Sequence, residues 1–540
     1  MKRIISIFAT LAVAALAISC AGSAASAGQE EELRPISAGE NTRVNTTYGT
    51  IEGYLDGTIY TFKGIRYAKA ERFMPPQDPD MYEGVRMCKI YGPQAPQNES
   101  LNWNEAASQT DYTFGNTFFL EPMDEACQVL NVWTPGLDSK KRPVFVWIHG
   151  GGFSSGSGHD LPCYEGYSLA KKGDIVYVNL NHRLNTLGFL DLSGLGGKYE
   201  NSVNLGLQDI VKALEWIHKN IARFGGDPDM VTIAGQSGGG GKVSALLAMP
   251  SAKGLFHRAI IQSGSSFHFA ESEQSRALGL ATVKELGLTP ATMDKIADIP
   301  YEQLVAAQRS ASRKLSQGGS VMRSGRGFFM EGPVVDGKTL SAQYETVAPA
   351  ECKDVPVLIG SNFNEFSFDV KKGLSEDEIM AQLTKRRGED KARRLVEAFK
   401  KDYPTHDLSD VLYIDDLFRP GVVKQAAAKH EQGGAPAWVY LFNWRPTENV
   451  LGASHGMELP FMANNVSLMR EMTGGSDRAY RFQEVVSNIW LAFIKTGNPN
   501  IAGLPAWEEY SAESAPTMIL DDKCELVHHV DDDLIKVITE

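Results

Sequence analysis

The sequence has few cysteines and fewer basic than acidic residues. Only 6 of its 540 residues are cysteine, and none forms a Cys-x-x-Cys pair, which argues against a zinc site. Lys and Arg number 53 against 66 Asp and Glu, which argues against a nucleic-acid partner. We find neither internal repeats nor low-complexity tracts. The hydrophobic fraction of 43% and the charged fraction of 22% are those of a soluble globular protein with a substantial core.

The N terminus has the pattern of an export signal. Lys2 and Arg3 precede an apolar run, Ile4 to Ile18, that is too short for a stable membrane span. Two processing sites fit: cleavage after Ala25-Ser26-Ala27, or lipidation of Cys20 within a lipobox-like Ala17-Ile18-Ser19-Cys20. The mature protein is then periplasmic or secreted, or anchored to a bacterial membrane through Cys20. We predict a signal over residues 1–27 (or ending before Cys20), a polar tether over 28–41 and a single domain over 42–540.

Apolar runs and one amphipathic helix predict the fold class. Leu207 to Phe224 repeats apolar residues at spacings of three and four, as a helix with one buried stripe does. The apolar runs show no alternation, as expected of central strands covered on both faces; they are Pro143–Ile148, Ile175–Leu180, Val231–Ala234, Ala259–Gln262, Val355–Ile359 and Trp438–Phe442. The alternation of strands with helices predicts a mostly parallel α/β sheet. Residues 275–314 and 375–432 are predicted to be helical insertions.

A serine stands between glycines at a predicted strand-to-helix turn, in Gly235-Gln236-Ser237-Gly238-Gly239. Such a turn holds the serine hydroxyl above the sheet, and a side chain at Gly235 or Gly239 would crowd it. Amides at the start of the helix would offset negative charge that develops there. The pattern alone is a weak signal, since glycine-rich chains match it by chance. A base, an acid and an oxyanion site are also needed.

A second glycine motif, His149-Gly150-Gly151-Gly152-Phe153, follows a predicted strand. With no side chains in its middle, the loop lets backbone N–H groups approach a bound ester closely, as an oxyanion site requires. If the motif stood alone, a flexible glycine turn would be the alternative.

A candidate base and a candidate acid follow the serine in the chain. Among eleven histidines, His455 stands apart, because it lies among small residues in Gly452–Gly456 after a predicted strand. Glu365 comes six residues after the strand that ends at Ile359. Its place between serine and histidine is the chain order of hydrolases that carry this serine motif. Without the other motifs, Glu365 would be interpreted as a solvated loop carboxylate.

With these motifs the chain resembles the type B carboxylesterases, the α/β-hydrolase family of the bacterial para-nitrobenzyl esterases and the cholinesterases. The resemblance runs from about Thr47 to the C-terminal tail. Further motifs that carry it, in chain order, are Phe73–Pro76, Leu130–Trp133, Asn181–Arg183, Asn204–Asp209, Phe224–Pro228, Gln262–Ser265, Pro333–Gly337 and His455-Gly456. The resemblance implies an α/β-hydrolase fold with a large, mostly parallel central sheet, helices on both faces and helical insertions in the C-terminal half.

The resemblance also implies a role for each matching residue. Ser237 becomes the nucleophile, His455 the base and Glu365 the acid, with Gln236 and Ser263 beside them. Oxyanion donors and substrate-pocket positions follow in the same way: Gly151, Gly152 and Gly238 for the donors, and Phe153, Phe329 and Glu331 for the pocket. Glu331 stands where the family often has an aromatic residue; it makes the acyl side roomier or more polar, or it is a solvated carboxylate on a shifted loop. No metal or cofactor is called for.

The chain departs from the family pattern beside the serine. Gln236 replaces the usual glutamate, which predicts weaker attraction for cationic esters; the alternative is a neutral substitute with little consequence. Gly238–Gly241 follows the serine. Because a helical glycine costs up to about 1 kcal/mol relative to alanine, we expect a looser helix start than the family's.

The cysteines depart from the pattern as well. The family's early disulfide pairs the position of Cys127 with one that is Ala95 here, and Cys88 is the candidate substitute. An odd number of cysteines after Cys20 leaves at least one thiol unpaired in an oxidising compartment.

The expected function is that of an exported serine carboxylesterase acting on small neutral esters. One alternative is a specialised esterase for hydroxycinnamoyl or other natural-product esters. Another is a non-catalytic, neuroligin-like binding protein, against which the complete Ser237, Glu365 and His455 weigh. A lipase is disfavoured because no clear amphipathic lid helix is present. The sequence leaves the oligomeric state open.

Overall fold

The apolar runs of the sequence form the strands of a twelve-stranded sheet in this computed structural model. The structure describes residues 34–97, 122–265, 269–317, 332–344 and 347–540, and residues 35–540 form one compact unit. The strands are β1 Ile36–Ser37, β2 Arg43–Thr46, β3 Gly49–Glu52, β4 Tyr54–Asp56, β5 Ile59–Arg66, β6 Val85–Met87, β7 Val129–Thr134, β8 Arg142–Ile148, β9 Val176–Leu180, β10 Gly226–Gln236, β11 Arg258–Gln262, β12 Ala270–Glu271, β13 Val334–Val335, β14 Val357–Asn362, β15 Ala437–Phe442, β16 Pro516–Leu520 and β17 Glu525–His528.

Helices connect these strands. The α-helices are α1 Tyr167–Gly173, α2 Asn185–Phe189, α3 Leu205–Asn220, α4 Gly238–Leu246, α5 Ser272–Glu285, α6 Tyr301–Gln317, α7 Glu376–Arg387, α8 Glu389–Asp402, α9 Arg419–Glu431, α10 Leu459–Met462, α11 Arg470–Thr473, α12 Asp477–Thr496 and α13 Asp532–Thr539. The 3₁₀ turns are Glu40–Thr42, Pro162–Tyr164, Ser193–Leu195, Gly197–Tyr199, Ile221–Phe224, Pro250–Ala252, Pro290–Asp298, Ala350–Cys352, Leu408–Leu412 and Val466–Leu468. The predicted amphipathic helix is confirmed as α3 with the turn that follows it.

The strand order of the large sheet is β1-β4-β5-β7-β9-β8-β10-β11-β14-β15-β16-β17. The strands from β9 to β16 in that order run parallel, and antiparallel strands flank them on both sides. Ile148 of β8 pairs with Gly235 of β10. The glycine loop after β8 and the serine turn after β10 therefore leave the sheet side by side, at the carboxyl edge where parallel sheets place their sites.

Two hydrophobic clusters cover the two faces of the sheet. Phe145 and Trp147 of β8 point into one cluster, where Trp490 of α12 joins them. Val144 and Val146 point into the other, which α3 and α4 close. Because successive side chains of a strand face opposite ways, strands buried on both faces must be apolar throughout, as these are. The predicted mostly parallel sheet with helices on both faces is confirmed.

The two predicted helical insertions are present. Helices α5 and α6 occupy the first, with the 3₁₀ turn Pro290–Asp298 between them, and α7, α8 and α9 occupy the second. Helix α7 begins at a capping box, in which Ser375 and Glu378 satisfy each other's backbone N–H groups.

The chain enters the sheet before residue 42. Strand β1, Ile36–Ser37, pairs antiparallel with β4, so part of the segment assigned to a polar tether belongs to the folded unit. The predicted export signal and Cys20 lie outside the described residues. No helix within the described ranges is long and apolar enough to cross a membrane.

Two of the sequence motifs have structural roles. The Arg183 guanidinium and the Asp209 carboxylate form a buried, two-pronged ion pair at 2.7 and 2.8 Å, and Arg183 also donates to the carbonyl of Met74 at 2.8 Å. This pair fixes the loop after β9 onto α3. Such bidentate contacts are among the stronger hydrogen-bonded pairs in proteins.

The expected replacement disulfide is not formed. Cys88 and Cys127 are both buried free thiols, and they belong to different hydrophobic clusters. Cys127 packs instead with Ala95 and Leu184. Ala95 stands at the position of the family's partner cysteine and offers only a methyl group. Because Ala95 and Leu184 enclose it, the Cys127 thiol behaves as a small apolar side chain.

Candidate active site

Ser237 occupies the turn between β10 and α4 in a strained backbone conformation. Its φ is 58° and its ψ is −128°, a region that a residue with a side chain adopts only when its surroundings impose it. Its N–H donates to the carbonyl of Gln262 at 2.8 Å, which ties the turn to the end of β11. The turn leaves the serine side chain partly accessible at the carboxyl edge of the sheet.

The glycines on either side of Ser237 are required by close backbone approach. A Cβ at Gly235 would lie 2.5 Å from the carbonyl oxygen of Gly239 and 2.8 Å from that of Ile148. A Cβ at Gly239 would lie 2.1 Å from the same Ile148 oxygen. These distances are too short for any side chain, so the predicted crowding of the turn is confirmed.

The glycine loop after β8 folds over this turn. Gly151 and Gly152 have φ values of 77° and 63°, which glycine adopts without steric cost. A Cβ at Gly238 would lie 2.0 Å from the carbonyl oxygen of Gly152, so the loop touches the first residue of α4. No acceptor among the described residues engages the N–H groups of Gly151 and Gly152, and the first N–H of a helix has no partner within that helix. Three such donors beside a serine can hold an oxyanion.

His455 and Glu365 form a buried pair beside the turn. The distance from His455 Nδ1 to Glu365 Oε2 is 2.5 Å. Main-chain contacts fix both groups: the His455 N–H donates to the Glu365 carbonyl at 2.6 Å, and the Asn362 N–H donates to Glu365 Oε1 at 2.7 Å. Their exposed fractions are only 6% and 2%. A carboxylate in this position orients the imidazole and favours the tautomer whose Nε2 can accept a proton.

Burial sets the electrostatics of this pair. It is the largest cause that lowers the pKa of His455 and raises the pKa of Glu365. The Ser263 hydroxyl and the Asn362 N–H oppose the shift at Glu365, because both favour the charged carboxylate. The imidazole is therefore neutral near pH 7, as a proton acceptor must be. A role for Ser263 beside the acid stays a prediction.

Gln236 lies against the His455 ring. Its Nε2 is 3.1 Å from His455 Nε2 and 3.3 Å from Nδ1. The Ser237 hydroxyl makes no hydrogen bond to His455 in the part of the chain that the structure describes. Catalytic hydrogen bonds of this kind are often long without substrate and shorten in the complex. Because its amide contacts the His455 ring and its side chain is buried, Gln236 faces the base and not the bulk solvent.

A layer of buried polar side chains behind the site was not predicted. Glu458 is fully buried and accepts from Asn362 Nδ2 at 2.6 Å and from Gln262 Nε2 at 3.1 Å. Trp490 Nε1 donates to Gln262 Oε1 at 3.1 Å, and Asn362 Nδ2 also donates to the Ser454 carbonyl at 2.7 Å. This network joins the ends of β11 and β14 to the loop that carries His455. Its only sequence signal is that Glu458 follows His455 by three residues.

Two aromatic rings cover the outer side of His455. The Phe366 ring centroid is 4.5 Å from that of the imidazole, and Phe418 stacks on it at 5.5 Å with an interplanar angle of 8°. Phe366 is 54% exposed, unusual for a large apolar side chain. The mouth of the site thus has an apolar wall. Phe366 directly follows Glu365 in the sequence, which could have drawn attention to it.

Of the three predicted substrate-pocket residues, the structure describes only Phe153. Phe153 is buried, and its ring packs edge-on against Phe189 at 5.3 Å. Its contacts are therefore with the core, and a role in the pocket stays a prediction. Phe329 and Glu331 lie outside the described residues.

Comparison with known proteins extends these observations. A model of the carboxylesterase family matches residues 40–534. The para-nitrobenzyl esterase of Bacillus subtilis (strain 168) is 34% identical over 496 residues, 89% of this chain and 95% of that protein. The phenmedipham hydrolase of Pseudarthrobacter oxydans is 32% identical over 498 residues, 89% and 95% of the two chains. The solved structure of an esterase from Clostridium hathewayi, described as hydrolysing aliphatic aromatic polyesters, matches with a TM-score of 0.84 at 34% identity, covering 94% of this chain and 99% of that one.

The sheet order, the serine turn and these structural relatives define an α/β-hydrolase. Within that class the chain belongs to the carboxylesterase family. It is a carboxylic ester hydrolase, so the expected family and activity are confirmed. The roles of individual residues remain predictions.

Proposed function

We propose that this protein is an exported serine carboxylesterase in which Ser237 is the nucleophile, His455 the general base and Glu365 the acid. The observation that carries the proposal is the buried pair of His455 Nδ1 and Glu365 Oε2, 2.5 Å apart, beside the strained serine turn. Neither residue is near the serine in the chain. Their meeting at the carboxyl edge of the sheet is what a hydrolase of this class requires.

The reaction proceeds in two halves. His455 Nε2 takes the proton of the Ser237 hydroxyl while the serine oxygen attacks the ester carbonyl carbon. Glu365 holds the Nδ1–H tautomer and stabilises the imidazolium. The tetrahedral intermediate collapses, His455 returns the proton to the leaving alcohol, and an acyl-enzyme remains. Water then attacks that acyl group by the same route and releases the acid.

Backbone N–H groups stabilise the oxyanion in both halves. Gly151, Gly152 and Gly238 supply them in this proposal. No acceptor in the described part of the chain engages the N–H groups of Gly151 and Gly152, and the N–H of Gly238, the first of α4, has no partner within that helix. Losing one such donor typically costs about 10²–10³ in rate.

The substrate class is neutral esters with an apolar part. Phe366 and Phe418 offer aromatic surface beside His455, and Gln236 places a neutral amide there where a carboxylate would attract a cation. Burying an apolar substituent against such rings contributes roughly 25 cal/mol per Å². We therefore expect longer acyl or aryl esters to be preferred over acetates, and neutral over choline-type esters.

The experiment compares residues 28–540 with Ser237→Ala on para-nitrophenyl acetate, butyrate and octanoate and on a hydroxycinnamate ester. Ser244→Ala is the matched control, because Ser244 is buried on α4, the helix that follows Ser237, and Gln425 is the only hydrogen-bond partner of its hydroxyl among the described residues. We expect activity to vanish in Ser237→Ala and to persist in Ser244→Ala. Labelling with diethyl para-nitrophenyl phosphate followed by peptide mapping should place the adduct on Ser237. Persistent activity in Ser237→Ala, or an adduct on another serine, would refute the assignment.

Export is tested on the full chain expressed in a bacterium. We expect either a mature protein that begins at Gly28 or a lipidated one that partitions into Triton X-114. In the second case Cys20→Ala should abolish partitioning. An unprocessed, intracellular chain that retains Met1–Arg3 would contradict export.

A further inference from the structure

Lys242 is a fully buried lysine on α4, five residues after Ser237. Its Nζ donates to the carbonyl of His149 at 3.0 Å and lies 3.5 Å from that of Gly150. Lysine is rarely buried completely without a defined partner. Here the partners are the first two carbonyls of the glycine loop that covers the serine turn.

The glycines before Lys242 make this contact geometrically possible. A Cβ at Gly239 would lie 2.8 Å from the His149 carbonyl oxygen, and one at Gly240 would lie 2.9 Å from the Cα of Gly264. The first turn of α4 therefore packs backbone to backbone against β8 and the end of β11. Any larger residue would push the helix away and withdraw the lysine from the loop. The unusual glycine run and the buried lysine thus form one feature.

The peptide geometry links Lys242 to the chemistry. The carbonyl of Gly150 and the N–H of Gly151 belong to the same peptide group. A donor or positive charge at the carbonyl oxygen polarises that group and makes its N–H a stronger donor, since hydrogen bonds in series reinforce one another. The effect is large where water is excluded. Lys242 and Gly150 are both buried, so water is excluded from this contact.

The groups around Lys242 favour this arrangement. The ring of Phe153 faces the Nζ at 5.9 Å, and the buried imidazoles of His149 and His182 stack at 5.0 Å beside it. Asp160 is the acidic group whose charge acts on Lys242, and it raises the pKa; burial is the larger cause and lowers it to about 7. Both histidines have pKa values well below the ordinary range, mainly because of burial and then because of Lys242. Both are neutral, so Lys242 is the cation of this group. His149 Nδ1 also lies 3.0 Å from the Gly150 carbonyl oxygen, so that peptide group receives a neutral donor as well as the lysine.

We propose that Lys242 is a positioning residue for the oxyanion site: it fixes the glycine loop through the His149 carbonyl and polarises the peptide group whose N–H belongs to Gly151. This inference rests on the proposed function, because it assumes that Gly151 contacts the oxyanion. It predicts an effect on the tetrahedral intermediate that exceeds the effect on substrate binding.

The test compares Lys242→Met with Lys429→Met. Lys429 is a matched control because it too is a buried helical lysine that donates to two main-chain carbonyls, those of Cys352 and Lys353, at 2.7 and 2.9 Å. It lies on α9, which precedes β15, and its partners Cys352 and Lys353 lie before the start of β14, at the opposite edge of the sheet from Ser237. Both substitutions remove a buried amine and leave carbonyls unsatisfied, so they carry similar costs in stability.

Four quantities are measured on each variant: kcat and KM for para-nitrophenyl butyrate, the inhibition constant of an aryl trifluoromethyl ketone, and Tm. The ketone forms a tetrahedral adduct with the serine, so its affinity reports on the oxyanion site. For Lys242→Met we expect kcat to fall about tenfold to hundredfold, KM to change less than about twofold, and ketone affinity to fall in parallel with kcat/KM. Lys429→Met should lower Tm and leave kcat and ketone affinity near the wild-type values.

Other outcomes would overturn the inference. Unchanged kcat and ketone affinity in Lys242→Met, or equal losses in both variants, would reduce Lys242 to a structural residue. If Lys242→Met does not fold, Lys242→Gln keeps a donor without a charge, and wild-type ketone affinity in that variant would refute polarisation by the lysine charge. Failure of the proposed function has a different signature: an inactive wild type, or an active Ser237→Ala variant.

Discussion

Replacing Gly239 by alanine should separate the packing role of the serine-motif glycines from simple helix propensity. The added Cβ would lie 2.1 Å from the carbonyl oxygen of Ile148. Carbon–oxygen contacts in proteins are normally at least about 3.3 Å, so the two atoms must separate by about 1 Å.

The sheet cannot supply that movement. Ile148 pairs with Leu180 on one side and Gly235 on the other, in the middle of the parallel strands. The start of α4 must therefore shift, and with it Ser237 and the N–H of Gly238. Overpacking of this kind costs about 1–3 kcal/mol of stability. A misplacement of about 1 Å at a reacting group can cost about 10²-fold in rate.

Gly241→Ala is the matched control on the same helix. Its Cβ would first meet the tip of the Phe153 ring at 3.1 Å, and no backbone atom closer than 3.8 Å. Alanine gains up to about 1 kcal/mol over glycine inside a helix. We expect Gly239→Ala to lower Tm and to reduce kcat/KM for para-nitrophenyl butyrate about a hundredfold, while Gly241→Ala keeps kcat/KM and keeps or raises Tm. Equal behaviour of the two variants would refute the packing argument.

Three further predictions concern the base, the apolar wall and the buried polar layer. Burial lowers the pKa of His455 below its ordinary 6.5, so the acid limb of the pH profile of kcat/KM should have its midpoint below pH 6.5; a midpoint at or above that value would contradict a buried base. Phe366→Ala should raise KM for para-nitrophenyl octanoate several-fold more than KM for the acetate, since apolar contact is lost. An equal change in KM for both esters would exclude contact between Phe366 and the acyl chain of the substrate. Glu458→Ala leaves the donors of Asn362 and Gln262 unsatisfied, each at about 1–3 kcal/mol, so chemical denaturation should show a clear loss of stability; an unchanged midpoint would refute the network.

Local sequence patterns were sufficient to predict the central strands and the serine turn, and the chain order of the candidate serine, acid and histidine. Runs such as Pro143–Ile148 have no polar residue to place on a solvent face, so they can only be central strands. The glycines around Ser237 indicate a tight turn because no other residue tolerates the close backbone contacts at Gly235 and Gly239. Both inferences depend on residues close together in the chain, where geometry is nearly independent of the rest of the fold.

The cysteines and the start of the domain could not be predicted in this way. Cys88 was the apparent partner of Cys127, but the thiol of Cys127 is enclosed by Ala95 and Leu184. Strand β1 consists of two exposed residues, so its membership of the sheet comes from pairing with β4 and leaves no hydrophobic signal. Pairing distance is a property of the folded chain and not of spacing along it.

The sequence by itself determined the parallel sheet, the serine turn and the glycine loop, because each has a local signature in residue type and spacing, and it indicated the family through the motifs that the chain resembles. Only the tertiary structure decided which charged residues leave water. Lys242 and Glu458 have side chains that are solvated in most proteins, yet here each is fully buried. Their partners lie 93 and 96 residues away, at the His149 carbonyl and at Asn362. Burial of a charged group is set by what packs over it and by the donors and acceptors that packing brings within reach, and these are known only once distant strands have met.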